Sequence, residues 1–147
     1  SDYRLGMKSE VVREINQCYD NVYWIPEGGG GSLGALGCRD WGTSIDQINS
    51  EYDAWVVSAG TGTTAAGLLA NHSTPSLHVF SALKGAENQR EEILKQAFQI
   101  VKCGVSKEAL DNKLFFYSDC HEGGYAKHSL VFHIFYKNLL LPILVKY

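Results

Sequence analysis

The stretch best able to do chemistry lies at residues 54–69, where an apolar run leads into a glycine- and threonine-rich turn and then into small residues typical of a helix start. A buried strand that delivers such a turn to a helix N-terminus presents unpaired N–H groups to an anion, and the helix dipole favours negative charge there. Glycine lets backbone approach phosphate oxygens closely, and threonine hydroxyls add donors. The pattern predicts a phosphate-binding turn, with a ligand-free strand–helix turn as the alternative. Its candidate residues are Ser58, Gly60, Thr61, Gly62, Thr63 and Thr64.

The same turn also fits the degenerate dinucleotide fingerprint G-x-G-x-x-G/A between Gly60 and Ala65. That fingerprint requires an acidic residue at the end of the next strand, about 20 residues further on, to bind the ribose hydroxyl. Residues 80–84 contain no carboxylate, and Glu87 comes too late. The sequence therefore disfavours a nicotinamide site. A nucleotide P-loop is excluded more firmly, because no Gly-Lys-Ser/Thr follows the turn.

Three short apolar runs predict the strands that position this turn, at Ala54–Val57, Ser76–Phe80 and Lys113–Tyr117. Because these runs do not alternate with polar residues and are separated by helical patterns, they predict an α/β fold with a parallel sheet covered by helices on both faces. Helices are predicted within Ser1–Asp20 and at Leu33–Trp41, Ser44–Ser50 and Glu87–Val101, and a short β-rich run at Val22–Ile25.

Size and composition limit the possible functions. The chain has 147 residues, 45% of them hydrophobic, which predicts a single α/β domain over residues 1–147. The net charge is −3 and no basic block occurs, so we expect no nucleic-acid partner. We find no signal peptide and no apolar run of spanning length, so we expect no membrane partner. Four scattered cysteines without metal-ligand spacing predict free thiols, no metal site and a cytoplasmic location: Cys18, Cys38, Cys103 and Cys120.

Other segments leave alternatives open. The turn Glu27–Ser32 is either a plain linker or a loop at the edge of a ligand site. Gly123-Gly124-Tyr125 either brings a phenol close to a ligand or forms a surface turn. The apolar residues 129–147 fit a buried terminal helix or an exposed tail. A nucleophilic pair of Cys120 with His121 is disfavoured, because adjacent residues in an extended segment point to opposite faces.

Several of these segments, taken in order, carry a family resemblance. They are Ile25–Gly29, Leu33–Gly37, Ser58–Leu68, Phe80–Gly85 and Gly123–Lys127. This ordered set resembles the 1-aminocyclopropane-1-carboxylate deaminase/D-cysteine desulfhydrase family, which are pyridoxal-phosphate enzymes with a tryptophan-synthase-β-like fold. The resemblance implies that the chain forms part of the large domain of a fold-type-II pyridoxal-phosphate enzyme.

The resemblance also implies site residues and an activity. It implies that the loop Ser58–Thr64 grips the phosphate of pyridoxal 5'-phosphate and that Tyr125 is a catalytic residue near the substrate or the ring. Lys84 matches a family position outside the cofactor attachment motif, so it is not nominated as the Schiff-base lysine. The implied activity is that of a deaminase/lyase acting on small amino acids, releasing ammonia and a 2-oxo acid, in a full-length form that is commonly a homodimer.

Two departures from the family pattern bear on these expectations. The Schiff-base lysine of the family sits in a Lys-Gly-Asn-Lys-like segment that has no counterpart here, so the chain resembles about the second half of a family member. The resemblance also fades after Lys127, which leaves residues 128–147 as a divergent tail. We therefore expect this chain alone to be an incomplete and inactive enzyme. The alternative is a non-catalytic phosphate-ligand-binding domain or an inert truncated product.

Overall fold

The computed structural model describes residues 2–48, 50–71, 73–101, 103–119 and 121. Its α-helices are α1 (Glu10–Cys18), α2 (Ser32–Ile48), α3 (Thr63–Leu69), α4 (Gln89–Ile100) and α5 (Lys107–Asp111). Its strands are β1 (Trp55–Ala59), β2 (Leu77–Ser81) and β3 (Leu114–Tyr117). Short 3-10 turns lie at Asp2–Lys8 and Glu27–Gly29. The tail 128–147 and Tyr125 fall outside the described residues.

The three strands form one parallel sheet in the order β1–β2–β3. In β1 and β2, Trp55 pairs with Leu77 and Ala59 with Ser81, and Leu77 pairs in turn with Leu114 of β3. The predicted α/β fold with a parallel sheet flanked by helices is thus confirmed. Because the strands are parallel, their carboxyl ends meet at one edge of the sheet, where the glycine-rich turn after β1 also lies.

One face of the sheet carries the core. Leu77 and Val79 of β2 are fully buried, and α3 packs against β1 and β2 on this side. Helices α2 and α4 pack in turn against α3. The approach of α2 to α3 is very close, because a Cβ added at Gly67 would lie 2.4 Å from the carbonyl oxygen of Ala35 and from Cβ of Cys38. We call this face the helical side of the sheet.

The opposite face, which we call the open side, is largely exposed. Val56 is 70% exposed and Phe115 is 45% exposed, and the rings of His78 and Phe115 stack with centroids 4.7 Å apart. The prediction that helices cover both faces is therefore wrong for the described residues. Because the strand order advances in one direction, right-handed connections place every intervening helix on the same side of the sheet. The strands lacked polar alternation because apolar residues also occupy the open side.

The predicted β-rich run at Val22–Ile25 is not a strand, because it pairs with no described strand. Instead, Trp24 Nε1 in this segment donates a hydrogen bond to Asn16 Oδ1 of α1 at 2.9 Å. The helix predicted within Ser1–Asp20 is confirmed as α1. The side chain of Ser9 caps its start by accepting a hydrogen bond from the backbone N–H of Val12.

The two helical pieces predicted at Leu33–Trp41 and Ser44–Ser50 are in fact one continuous helix, α2. Gly42 lies between the two predicted pieces and makes room for a neighbouring side chain, because a Cβ at Gly42 would lie 3.1 Å from Asn71 Nδ2. That amide donates hydrogen bonds to the carbonyl oxygen of Arg39 at 2.8 Å and to Thr43 Oγ1 at 2.9 Å. The glycine therefore serves the docking of Asn71 on the helix.

Candidate functional site

The turn between β1 and α3 has the geometry of a donor-rich loop. Gly62 has a φ of +85°, a left-handed conformation that favours glycine, and its carbonyl accepts the first hydrogen bond of α3 from the N–H of Ala66 at 2.9 Å. The N–H groups of residues 63–65 consequently have no acceptor within the helix. Gly60 is exposed, and a Cβ added there would meet no described atom within 4 Å. The turn therefore has open space beside Gly60.

The threonine hydroxyls of the turn divide into two groups. Thr61 Oγ1 and Thr63 Oγ1 share a hydrogen bond at 3.2 Å, with Thr61 exposed and Thr63 buried. We call the hydroxyls of Thr61 and Thr63 the hydroxyl pair. Since the mutual bond uses one of the two hydroxyl protons, the other proton remains available for a further acceptor. Thr64 lies on the side of α2 instead, where its Oγ1 accepts from Cys38 Sγ at 3.8 Å.

The structure separates Ser58 from the other candidate residues. Ser58 pairs with Phe80 in the sheet register and is exposed on the open side, whereas its neighbour Ala59 is buried on the helical side. Gly60, Thr61, Gly62, Thr63 and Thr64 are brought together in the turn by chain continuity. The predicted catalytic Tyr125 lies outside the described residues.

A series of hydrogen bonds through the buried side chains of Ser81 and Gln89 holds the turn in place. Ser81 Oγ donates to Gln89 Oε1 at 2.6 Å and accepts from the N–H of Leu83 at 3.3 Å. The amide nitrogen of Gln89 donates in turn to the carbonyl oxygen of Gly60. Ser81 and Gln89 are both buried, so the bond between them is shielded from water. These two residues tie the turn to the end of β2 and the start of α4.

Our sequence reasoning missed Ser81 and Gln89. The available signal was weak: Ser81 is the polar residue that ends a mostly apolar strand, and Gln89 opens the helix that follows. A serine at a strand end or a glutamine at a helix start does not by itself indicate which group it will hydrogen-bond. The pairing depends on Gln89 meeting Gly60, a residue 29 positions earlier in the chain.

A second glycine-rich turn, Glu27–Ser32, contacts Thr61 of the hydroxyl pair. A Cβ added at Gly28 would lie 2.6 Å from Thr61 Oγ1 and from Thr61 Cγ2. Beside this contact a cleft of about 370 Å³ opens between the turn and α4. The cleft is lined by Gly30, Gly31, Thr61, Thr63, Glu92, Lys95, Gln96 and Gln99. Of the two possibilities for Glu27–Ser32, this placement favours a loop at the edge of a candidate site.

Comparison with known proteins adds one similarity. No family model matches this chain. A 62-residue stretch is 47% identical to a protein of Thermotoga maritima named “Putative 1-aminocyclopropane-1-carboxylate deaminase”. The stretch covers 41% of this chain and 20% of that relative. The similarity supports the deaminase resemblance for part of the chain, and the three-stranded parallel sheet is consistent with a partial domain of a pyridoxal-phosphate enzyme.

Two further observations concern only the residues that the structure describes. No helix among them is long and apolar enough to cross a membrane. No group of three or more His, Cys, Asp or Glu side chains among them could hold a metal ion. Cys18, Cys38 and Cys103 are free thiols, as predicted, while Cys120 lies outside the described residues.

Proposed function

We propose that this chain is the phosphate-binding part of a pyridoxal-phosphate-dependent deaminase/lyase of small amino acids. The observation that carries the proposal is the 62-residue similarity to a protein named as a deaminase. The ordered sequence motifs and the donor-rich turn after β1 support it. Because the match spans about a fifth of that relative, the activity, the small amino-acid substrate, the cytoplasmic location and the homodimer of the full-length form are all part of the proposal.

The residues of the turn fit the phosphate end of the cofactor. The free N–H groups of residues 63–65 and the spare proton of the hydroxyl pair are donors, and the open space beside Gly60 admits an anion. In this proposal Gly60, Thr61, Gly62 and Thr63 bind phosphate oxygens. Thr64 contributes its N–H, because its hydroxyl lies on the side of α2, against Cys38.

The other residues have supporting roles in this proposal. Gln89 keeps the carbonyl of Gly60 turned into the protein, which prevents that oxygen from repelling the phosphate. Pyridoxal phosphate, when bound, supplies the electron sink for cleavage of bonds to the substrate α-carbon. Tyr125 is assigned to the substrate or ring side, and Ser58 to the open side of the sheet near the same edge. The lysine that would hold the cofactor is assigned to a Lys-Gly-Asn-Lys-like segment elsewhere in the full-length enzyme.

The phosphate-binding step is tested by calorimetry with pyridoxal phosphate and inorganic phosphate on the chain as it stands. Gly60→Asp adds a carboxylate to the turn without a clash, whereas Gly62→Asp adds one but would also meet Ile93 Cγ1 at 2.8 Å from its Cβ. Two unit charges about 5 Å apart repel by about 3 kcal/mol at the effective dielectric near a protein surface. We therefore expect Gly60→Asp to lower the affinity for both ligands at least about tenfold.

Gly104→Asp is the matched control. Gly104 lies after α4, has a φ of +96° and has no described atom within 4 Å of an added Cβ, so the variant carries the same charge and more backbone strain away from the turn. Unchanged affinity is expected. Equal losses in Gly60→Asp and Gly104→Asp would place the site elsewhere. If millimolar ligand does not bind the wild-type chain, the phosphate-binding assignment is wrong and an inert product remains.

The catalytic part of the proposal has its own test. Sequencing the coding DNA on both sides of this chain, and every frame across residues 127–147, shows whether a Lys-Gly-Asn-Lys-like segment accompanies it. If that segment is found, the reconstituted full-length protein should release ammonia and a 2-oxo acid from a small amino acid. A stop codon in place of the segment would withdraw the enzyme assignment and leave the binding assignment to the calorimetry.

A further inference from the structure

Two neighbouring glycines in the second turn differ in one contact. Gly28 and Gly29 both have a positive φ, at +63° and +65°. A Cβ on Gly28 would lie 2.6 Å from two side-chain atoms of Thr61, whereas a Cβ on Gly29 would meet no described atom within 4 Å. Real Cβ atoms do not approach so closely, so the Thr61 side chain occupies space that exists only because residue 28 has no side chain.

The backbone around Gly28 is held in place by consecutive turn bonds. The N–H of Gly29 donates to the carbonyl of Pro26 at 2.9 Å, and the N–H of Gly30 donates to the carbonyl of Glu27 at 3.1 Å. Since Pro26 also fixes its own φ, the turn starts from a constrained residue. The turn therefore presents an ordered backbone surface against which the Thr61 side chain packs.

That surface fixes the orientation of the hydroxyl pair. Threonine is branched at Cβ and has few allowed χ1 positions, so a displaced Thr61 side chain must rotate to a different well. Rotation would carry its Oγ1 away from Thr63 Oγ1, which now lies at 3.2 Å. Thr63 lies nearby, because its Oγ1 is 3.9 Å from the position of a Cβ at Gly30 of the turn, and its Cγ2 is 3.3 Å from that of a Cβ at Gly34 in α2.

We propose that the turn Glu27–Gly31 is the second wall of the anion site, and that Gly28 is a positioning residue that orients the Thr61 hydroxyl toward a bound phosphate group. The role of the ligand rests on the proposed function. The orientation of the hydroxyl pair by Gly28 does not, because it follows from contacts within the chain. The adjacent cleft, with Lys95 on its α4 wall, is where the phosphate-bearing ligand would enter.

The test compares Gly28→Ala with Gly29→Ala, which both place alanine at a positive φ and should both lower the melting temperature. Two quantities are measured: the methyl NMR resonances of Thr61 and Thr63, and the calorimetric affinity for inorganic phosphate. We expect Gly28→Ala alone to shift both methyl resonances and to lower the affinity about fivefold to tenfold, the effect of one misplaced hydrogen-bond donor.

A double-mutant cycle supplies the second measurement. Thr61→Ala removes the two atoms that lie 2.6 Å from the new Cβ and leaves only Thr61 Cβ at 3.2 Å, so adding Gly28→Ala to it should reduce affinity little further. If Gly28→Ala fails to fold while Gly29→Ala folds, the double variant should recover the fold. Additive losses, equal methyl shifts in the two glycine variants, or no recovery would each overturn the proposal. If wild-type protein binds no phosphate, the proposed function fails, and the methyl shifts alone decide whether Gly28 orients Thr61.

Discussion

The two sides of the sheet are built from the same strands yet have opposite surroundings. On the helical side Val79 is fully buried beneath the helices, whereas on the open side Val56 is 70% exposed. The helical side includes a buried polar chain through Ser81 and Gln89 that reaches the glycine-rich turn. The open side instead carries stacked rings, among them Phe80 and Tyr117 with centroids 4.5 Å apart.

This difference teaches that hydrophobicity and coverage are separate properties of a strand. A parallel strand with apolar residues at successive positions is ordinarily buried on both faces. Here Val56 and Phe115 are of residue types common in protein cores, yet both are exposed in the described part of the chain. Stability should therefore respond very differently to equivalent substitutions on the two sides, and the following three predictions test that difference.

The largest effect is expected where the helical layer is most tightly held. Gly67→Ala places a Cβ 2.4 Å from the Ala35 carbonyl and from Cys38 Cβ, which forces α2 away from α3. Overpacking of this kind costs about 2–3 kcal/mol in the free energy of unfolding, measurable by urea denaturation. Gly37→Ala is the control, because an added Cβ there meets no described atom within 4 Å, and it should stabilise α2 by about 0.5–1 kcal/mol. Equal behaviour of the two variants would disprove the close approach of the helices.

A matched valine pair compares the two sides directly. Val79→Ala should lower the free energy of unfolding by about 2 kcal/mol, because it removes buried methyl groups and leaves a cavity. Val56→Ala, on an adjacent strand, should change it by less than about 0.5 kcal/mol. A loss at Val56 as large as that at Val79 would show that the open side is covered in solution.

The smallest effect is expected among the rings of the open side. Tyr117→Phe keeps the stacking on Phe80 but removes the hydrogen bond between the Tyr117 hydroxyl and His78 Nδ1, now at 3.0 Å. Because water can replace an exposed hydrogen bond, the loss of unfolding free energy should be about 0.5 kcal/mol or less. The loss is measured by thermal denaturation of Tyr117→Phe. Phe115→Tyr, which adds a hydroxyl on the same strand, is the control. A loss above about 1.5 kcal/mol would mean that this bond is shielded from water.

Much of the fold was predictable from local patterns. The parallel sheet, α1, α4 and the glycine-rich turn all follow from apolar spacing and from residue types that act within a few positions. The continuity of α2 was not predictable, because the packing of Asn71 against Gly42 joins residues far apart in the chain. The exposure of the open side was equally hidden, since a sequence records which residues are apolar and not which side of the sheet receives the helices.

The candidate site, too, was predictable only in part. The donors of the turn were visible because Gly60, Gly62 and the threonines are consecutive. The contact of Gly28 with Thr61 and that of Gln89 with Gly60 join segments far apart in the chain, so no local pattern reports them. Ser58 was grouped with the turn by proximity in sequence, but strand alternation places its side chain on the open side.

The order β1–β2–β3 has a consequence for synthesis on the ribosome. Every strand of the sheet pairs with the strand next to it in the chain, so residues 55–81 contain a complete strand–helix–strand unit before β3 has been translated. Such sequence-local pairing shortens the loops that must close and favours fast folding. The nascent chain can therefore assemble the glycine-rich turn, with α3 seated on two paired strands, and add β3 later as an extension of an existing template.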